Sequence, residues 1–145
     1  MSSTLEGGTA RWMAPELLLP EDGEKGCYAK PSLESDIWAF AMLILEVFTD
    51  EPPYSKDPDP VVVTLIAVDQ RIPERPGPHI TERGLTDAVW ELMNECWNFQ
   101  HPEKRPEAQQ LTQYLQMFSD NTQIIAWRQR TVRLFYFFES ETLQK

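Results

Sequence analysis

This chain of 145 residues has two cysteines, the side chains that could form a disulfide or help to bind zinc. Cys27 and Cys96 lie 69 positions apart, and neither belongs to a C-x-x-C motif or pairs with a histidine. This spacing indicates neither a disulfide framework nor a metal site. It fits a protein kept in a reducing, cytoplasmic compartment.

A second group of candidate side chains lies at residues 127–138, where three arginines stand beside a run of aromatic residues. A basic aromatic stretch is typical of contacts with a membrane surface or with nucleic acid. We favour the simpler interpretations, which are a helix that packs on the domain or an unstructured tail. Residues 119–145 are therefore predicted to be a C-terminal appendage, helical or disordered.

The charge balance excludes several classes of partner. Lys and Arg number 13 against 23 Asp and Glu, so the net charge is −10. Binding to a phosphate backbone needs a clustered basic surface, so nucleic acid is not expected as a partner. The N-terminus lacks the pattern of a secretion signal, and no apolar run reaches 18 residues, so no membrane association is expected either.

The sequence predicts a central helix over residues 35–49. This stretch is apolar on every helical face, with Ser35 or Asp36 placed to cap the first turn. It is too short for a membrane span and is soon followed by Pro52-Pro53. A helix of this kind belongs at the centre of a domain.

Further elements follow from apolar spacing. Residues 61–68 fit a helix or a strand by periodicity, and their β-branched side chains favour a strand. Apolar residues at 85, 89, 92, 93, 96 and 97 predict an amphipathic helix. After Pro106, one apolar face predicts another helix, which carries Ala108, Leu111, Leu115 and Phe118.

Three motifs in order resemble the protein kinase family. Gly8-Thr-Ala-Arg-Trp-Met-Ala-Pro-Glu16 resembles the end of the kinase activation segment. Asp36-Ile-Trp-Ala-Phe begins the apolar helix 20 residues later, and Cys96-Trp97 precedes His101-Pro-Glu-Lys-Arg105-Pro106. Trp12-Met13 and this last motif are most similar to the tyrosine-kinase-like group, whose members mostly modify Ser or Thr. The chain departs from the pattern at Ala39 and Ala41, where relatives usually have Ser and Gly.

The resemblance implies a mainly α fold. Residues 1–118 correspond to the distal part of the C-terminal lobe of a kinase, so this partial domain has neither the N-lobe β-sheet nor the catalytic loop. The sequence is expected to start inside the activation segment. Relatives have a helix where residues 61–68 fall, which overrides the local preference for a strand.

The resemblance also assigns roles to residues. Glu16 is expected to pair with Arg105, and Asp36 to accept hydrogen bonds from the backbone of a catalytic loop. The pocket for the substrate residue that follows the phosphate acceptor would be formed by Gly8, Thr9, Ala10, Arg11 and Trp12. The candidate phosphorylation sites are Ser2, Ser3 and Thr4, which fall where the activation loop is phosphorylated in relatives. Any exposed terminus rich in hydroxyl groups would look the same.

Phosphoryl transfer needs a phosphate cradle, a lysine, magnesium ligands and an aspartate that positions the substrate hydroxyl. No Gly-x-Gly-x-x-Gly, Val-Ala-x-Lys, His-Arg-Asp or Asp-Phe-Gly motif occurs in these 145 residues. We therefore expect no catalytic residue and no cofactor in this chain, with ATP and Mg belonging to an intact parent that phosphorylates protein Ser or Thr. The alternative is a non-catalytic interaction module that binds a protein or peptide, or the missing kinase half.

Overall fold

The computed structural model of the protein describes residues 10–19 and 29–119. Within these ranges the chain is helical and has no β-strand, which confirms the prediction of a mainly α fold. The helices are α1 (Pro15–Leu18), α2 (Leu33–Thr49), α3 (Asp59–Ala67), α4 (Pro78–Glu82), α5 (Asp87–Cys96) and α6 (Ala108–Ser119). Two 3₁₀ turns occupy Ala10–Trp12 and Pro102–Lys104.

Several predicted sites lie outside the described residues. These are Ser2, Ser3, Thr4, Gly8, Thr9 and all of the predicted appendage after Ser119. By Cα proximity the chain divides into residues 1–108 and 109–145. Helices α1 to α5 and both 3₁₀ turns belong to the first unit, and α6 belongs almost entirely to the second. None of the helices in the described part of the chain is long and apolar enough to cross a membrane.

The start of α2 differs from the prediction. The helix begins at Leu33, and its N-cap is Ser32 rather than Ser35 or Asp36. The Ser32 hydroxyl accepts a hydrogen bond from the Ser35 amide at 3.2 Å, and the Ser35 hydroxyl accepts one from the Ser32 amide at 2.9 Å. This reciprocal capping box satisfies two amides that a helix end leaves unpaired, so the cap falls three residues before Ser35.

The end of α2 is set by backbone geometry. Asp50 adopts a left-handed conformation with φ of 58°, and its amide donates to the Glu46 carbonyl at 2.8 Å. A left-handed residue commonly closes a helix in this way. The prolines at 52 and 53 then prevent the helix from continuing.

Helix α2 forms the core of the unit. Trp38, Ala41 and Met42 are completely buried, and the small side chain of Ala41 stands where relatives usually have glycine. The helix contacts α5 and both 3₁₀ turns. A helix that is apolar on most faces has to lie among other elements, which is the place predicted for it.

The strand preference at residues 61–68 is wrong, and the helix implied by the family resemblance is present as α3. Val62, Leu65 and Ile66 are buried, which is the i, i+3, i+4 spacing of one helical face. Burial of this face outweighs the β-propensity of the valines, because strand propensity is a weak and context-dependent preference.

The amphipathic helix predicted from residues 85–97 is confirmed as α5. The Thr86 hydroxyl caps it by accepting a hydrogen bond from the Val89 amide at 3.4 Å. Its buried side is lined by Val89, Trp90, Leu92, Met93 and Cys96. The helix predicted after Pro106 is confirmed as α6.

Candidate functional site

The candidate site is built on residues 10–18, where a 3₁₀ turn leads into α1. The turn is closed by a hydrogen bond from the Met13 amide to the Ala10 carbonyl at 3.2 Å. Pro15 then starts α1, a position where its missing amide hydrogen leaves no bond unmade. Ala10, Ala14 and Leu18 are buried and anchor the segment through their side chains.

Glu16 and Arg105 lie 89 positions apart in the sequence and form a bidentate ion pair. Arg105 Nη1 donates to one carboxylate oxygen of Glu16 at 2.6 Å, and Nη2 donates to the other at 3.0 Å. The Arg105 side chain is completely buried, whereas that of Glu16 is 27% exposed. A bidentate pair fixes both distance and orientation, so this contact ties α1 to the segment after α5.

The remaining donors of Arg105 are bound by backbone carbonyls. Its Nε and Nη2 donate to the Asn98 carbonyl at 3.2 and 3.0 Å, and its Nη1 donates to the Glu34 carbonyl at 2.9 Å. All five guanidinium donors are thereby satisfied. The guanidinium also lies over the Trp38 ring, 5.2 Å from its centroid. Arg105 thus joins α1, α2 and residues 98–105 at one point.

Local sequence explains how Arg105 reaches this point. The Asn98 side chain accepts a hydrogen bond from the His101 amide at 2.9 Å, which turns the chain after α5. Pro102 starts the 3₁₀ turn, and the Arg105 amide donates to the Pro102 carbonyl at 3.0 Å. The Arg105 side chain is therefore carried on a compact, hydrogen-bonded loop rather than on a helix.

The described residues of the predicted substrate pocket are Ala10, Arg11 and Trp12, and their contacts lie within the chain. Ala10 is buried. The Trp12 indole donates to the Glu46 carboxylate of α2 at 2.9 Å. The Arg11 guanidinium binds Asp59 at the start of α3 and several carbonyls of the preceding loop. The sequence analysis did not predict these contacts. The carbonyls that bind Arg11 cannot be recognised from residue types, because every residue has a carbonyl.

Asp36 lies apart from the Glu16–Arg105 pair, in the first turn of α2, and its side chain is exposed. Leu33, one turn before it, is 79% exposed, and Leu43, two turns after it, is 46% exposed. Together with the half-buried Phe40, these residues follow the i, i+3, i+7, i+10 spacing of one helical face. We call the set of Leu33, Asp36, Phe40 and Leu43 the open face of α2.

Two titrating groups have shifted pKa values near these elements. A hydrogen bond from the Ser32 side chain, with help from the Glu34 backbone, lowers the pKa of Glu34. Burial, reinforced by the charge of Glu95, raises the pKa of the Cys96 thiol to about 12. The Cys96 side chain is thus a protonated, buried packing group at neutral pH, and it is not poised as a nucleophile.

Two features of the described residues bear on whether magnesium and a nucleotide could bind them. Within residues 10–19 and 29–119, no three His, Cys, Asp or Glu side chains converge as metal ligands. A pocket of about 450 Å³ lies between the end of α2 and the loops at 51–57 and 71–77. Its lining includes Pro52, Pro53, Pro73 and Pro76, and its basic and acidic side chains are equal in number. Such a lining does not complement a polyphosphate.

Comparison with known proteins identifies the fold and its family. The model of the family described as protein tyrosine and serine/threonine kinase matches residues 2–115. The match spans the Glu16–Arg105 pair, the 3₁₀ turn at Ala10–Trp12 and α2. The helical architecture agrees with the C-terminal lobe of a kinase.

Curated relatives align over most of the chain. Tyrosine-protein kinase Src64B of Drosophila melanogaster is 30% identical over 115 residues, which cover 79% of this chain and 18% of Src64B. Proto-oncogene tyrosine-protein kinase ROS of Homo sapiens is 33% identical over 109 residues, covering 74% of this chain and 4% of ROS. Cytoplasmic tyrosine-protein kinase BMX of Homo sapiens is 34% identical over 102 residues, covering 70% and 13%. The chain spans less than a fifth of each relative.

Proposed function

The chain belongs to the protein tyrosine and serine/threonine kinase family, and on that premise we propose that it supplies the substrate-docking part of a kinase domain without transferring phosphate itself. The observation that carries the proposal is the buried Glu16–Arg105 pair. It ties α1, which directly follows the predicted docking segment in the sequence, to Arg105. A docking surface that is held rigid loses less conformational entropy when it binds a peptide.

Inactivity of the chain alone follows from the chemistry that phosphoryl transfer requires. Its transition state needs a phosphate cradle, bound magnesium and a residue that orients the attacking hydroxyl. The 145 residues contain none of the motifs that provide these groups. We propose that ATP and Mg are bound by the intact parent through residues outside this chain.

The phosphate acceptor of the intact parent is the finer part of the proposal. The prediction of Ser or Thr rests on Trp12-Met13 and on Cys96-Trp97 before His101-Pro-Glu-Lys-Arg105-Pro106, which are most similar to the tyrosine-kinase-like group. Src64B, ROS and BMX are all named tyrosine kinases, which does not support that specificity. Ser/Thr specificity and Tyr specificity are distinguished by incubating the intact parent with a degenerate peptide library. The library carries Ser, Thr or Tyr as the phosphate acceptor. Incorporation into Tyr peptides alone would make the Ser/Thr prediction wrong.

Phosphate transfer by the purified chain tests the inactivity directly. The chain is incubated with radiolabelled ATP, Mg²⁺ and the same peptide library, beside a complete tyrosine kinase as positive control. We expect no incorporation above the protein-free blank. Incorporation that rises with the concentration of the chain and co-purifies with it would refute the proposal.

A partner is suggested by the open face of α2. The exposure of Leu33 and Leu43 leaves apolar surface uncovered beside the charge of Asp36. We propose that the remaining half of a kinase domain covers this face and that the Asp36 carboxylate accepts hydrogen bonds from it. A partner that covers this face has to supply hydrogen bonds to the Asp36 carboxylate, and the family resemblance implies that the backbone of the catalytic loop in the missing half supplies them.

The exposure of this face can be tested on the chain alone. Replacing Leu33 and Leu43 with serine is expected to increase solubility and to lower the melting temperature only slightly, because Leu33 is 79% and Leu43 is 46% exposed. The matched control is Leu45→Ser, which alters a buried leucine of the same helix and should lower the melting temperature. An equal fall in melting temperature from the exposed and the buried substitutions would show that the open face is covered.

We also propose that the protein acts in the cytoplasm. The absence of a disulfide pattern in the sequence supports this location, and the relative BMX is named a cytoplasmic kinase. Fractionation of cells that express the intact parent tests the proposal. Recovery in a membrane or secreted fraction would contradict it.

A further inference from the structure

Arg11 is the most highly coordinated side chain of the predicted docking turn. Its Nε donates to Asp59 Oδ1 at 2.8 Å, and Nη2 lies 2.7 Å from the same oxygen. Nη2 also donates to the Asp57 carbonyl at 2.7 Å. Nη1 donates to the carbonyls of Pro53 and Tyr54 at 2.9 and 2.6 Å. Four of the five guanidinium donors are hydrogen-bonded within the chain, and Nη2 is also in ion-pair contact with Asp59. Because the side chain is only 13% exposed, little of the guanidinium is accessible to a peptide.

The carbonyls that receive Arg11 belong to a loop with an unusual backbone. Tyr54 has a φ of +54°, a left-handed conformation that costs a non-glycine residue free energy unless its surroundings hold it. The Tyr54 hydroxyl donates to the Arg71 carbonyl at 2.5 Å, and the Asp57 amide donates back to the Tyr54 carbonyl at 2.9 Å. The guanidinium adds the contact that holds the carbonyls of residues 53, 54 and 57 toward one point.

From this geometry we infer that Arg11 is a positioning residue that locks the docking turn at Ala10–Trp12 onto the loop at residues 53–59, and that its guanidinium does not contact the substrate peptide. The inference deepens the proposed function and rests on it. The inference also concerns specificity: because the Arg11 guanidinium is bound within the chain, the docking turn should not prefer acidic peptides through Arg11.

Hydrogen exchange of the peptide-free chain tests the locking role. The Met13 amide reports on the turn, and the Asp57 amide reports on the loop. In Arg11→Gln we expect both to exchange about ten- to a hundredfold faster, because bonds from a charged donor are lost. Arg11→Lys keeps the charge but cannot reach four acceptors, so it should fail to restore protection.

A matched control is available at Arg83, which donates to Asp50 at 2.6 Å in an exposed pair that also joins two separate segments. Arg83→Gln should leave both reporter amides unchanged. If Arg11→Gln also leaves them unchanged, or if Arg11→Lys restores full protection, the locking role is refuted. This measurement needs no peptide, so its result tests the locking role of Arg11 even if the docking proposal fails.

Peptide selectivity tests the second half of the inference. The library carries Asp, Gln or Lys after the acceptor residue, and binding to the chain is compared with binding to Arg11→Gln. We expect weaker binding of all three classes and an unchanged order among them. A selective loss of the Asp peptides would show direct contact and overturn the inference. If the unaltered chain binds no peptide, the docking proposal fails, and the exchange result stands on its own.

Discussion

Replacing Glu16 with alanine is the perturbation that the structure defines most sharply. It removes both carboxylate oxygens from Arg105, a side chain with no solvent exposure. Three hydrogen bonds to backbone carbonyls remain, but the buried positive charge loses its counter-ion. Removing one partner of a buried pair typically costs about 3–5 kcal/mol, which is a large part of the ~5–15 kcal/mol stability of a domain.

Glu16→Ala should therefore lower the free energy of unfolding by about 3–5 kcal/mol. Urea unfolding followed by tryptophan fluorescence measures this, because Trp38 lies against the guanidinium. Arg83→Ala is the control, since its exposed pair with Asp50 should contribute less than about 1 kcal/mol. A loss from Glu16→Ala no larger than that of the control would refute the assignment of Arg105 as a buried, charge-compensated anchor.

Three smaller predictions concern caps, protonation and backbone geometry. Ser32→Ala should cost about 0.5–2 kcal/mol in urea unfolding and raise the pKa of Glu34 in an NMR titration toward its ordinary 4.5. Because the folded pKa of Glu34 is lowered, its contribution to stability is present above pH 4.5 and is lost as the pH falls through the folded value. Cys96 should resist iodoacetamide at about pH 8 in the native chain and react after denaturation, as peptide mapping will show. Gly84→Ala should lower the free energy of unfolding by about 1–3 kcal/mol, because φ is +114° and the added Cβ would lie 3.3 Å from a phenylalanine ring. Gly77→Ala is the control and should cost less, because Gly77 has a φ of −66°.

Much of the fold was predictable because apolar spacing reports burial. The amphipathic pattern of α5 matches its buried side, and the apolar run of α2 matches its central position, although its open face stays exposed. The preference for a strand at residues 61–68 failed because local propensity ignores which face the rest of the chain covers. The cap of α2 was misplaced because several residues near its start carry hydroxyl or carboxyl groups, and only the reciprocal bonds of Ser32 and Ser35 select one.

The site was less predictable from residue types. Family resemblance led to Glu16 and Arg105, and the structure brings them together. The three carbonyls that surround Arg11 could not be read from the sequence, since any residue supplies a carbonyl. Their convergence depends on the left-handed backbone of Tyr54, which tyrosine does not signal.

Binding of Mg²⁺–ATP to the purified chain is the most direct test of the account, because the central claim is a docking segment without a nucleotide cradle. Isothermal titration calorimetry measures it without a substrate peptide, and circular dichroism of the same sample establishes that the chain is folded. We predict no saturable binding up to about 1 mM, the upper end of typical KM values. Saturable binding of one nucleotide per chain below that concentration would contradict the account.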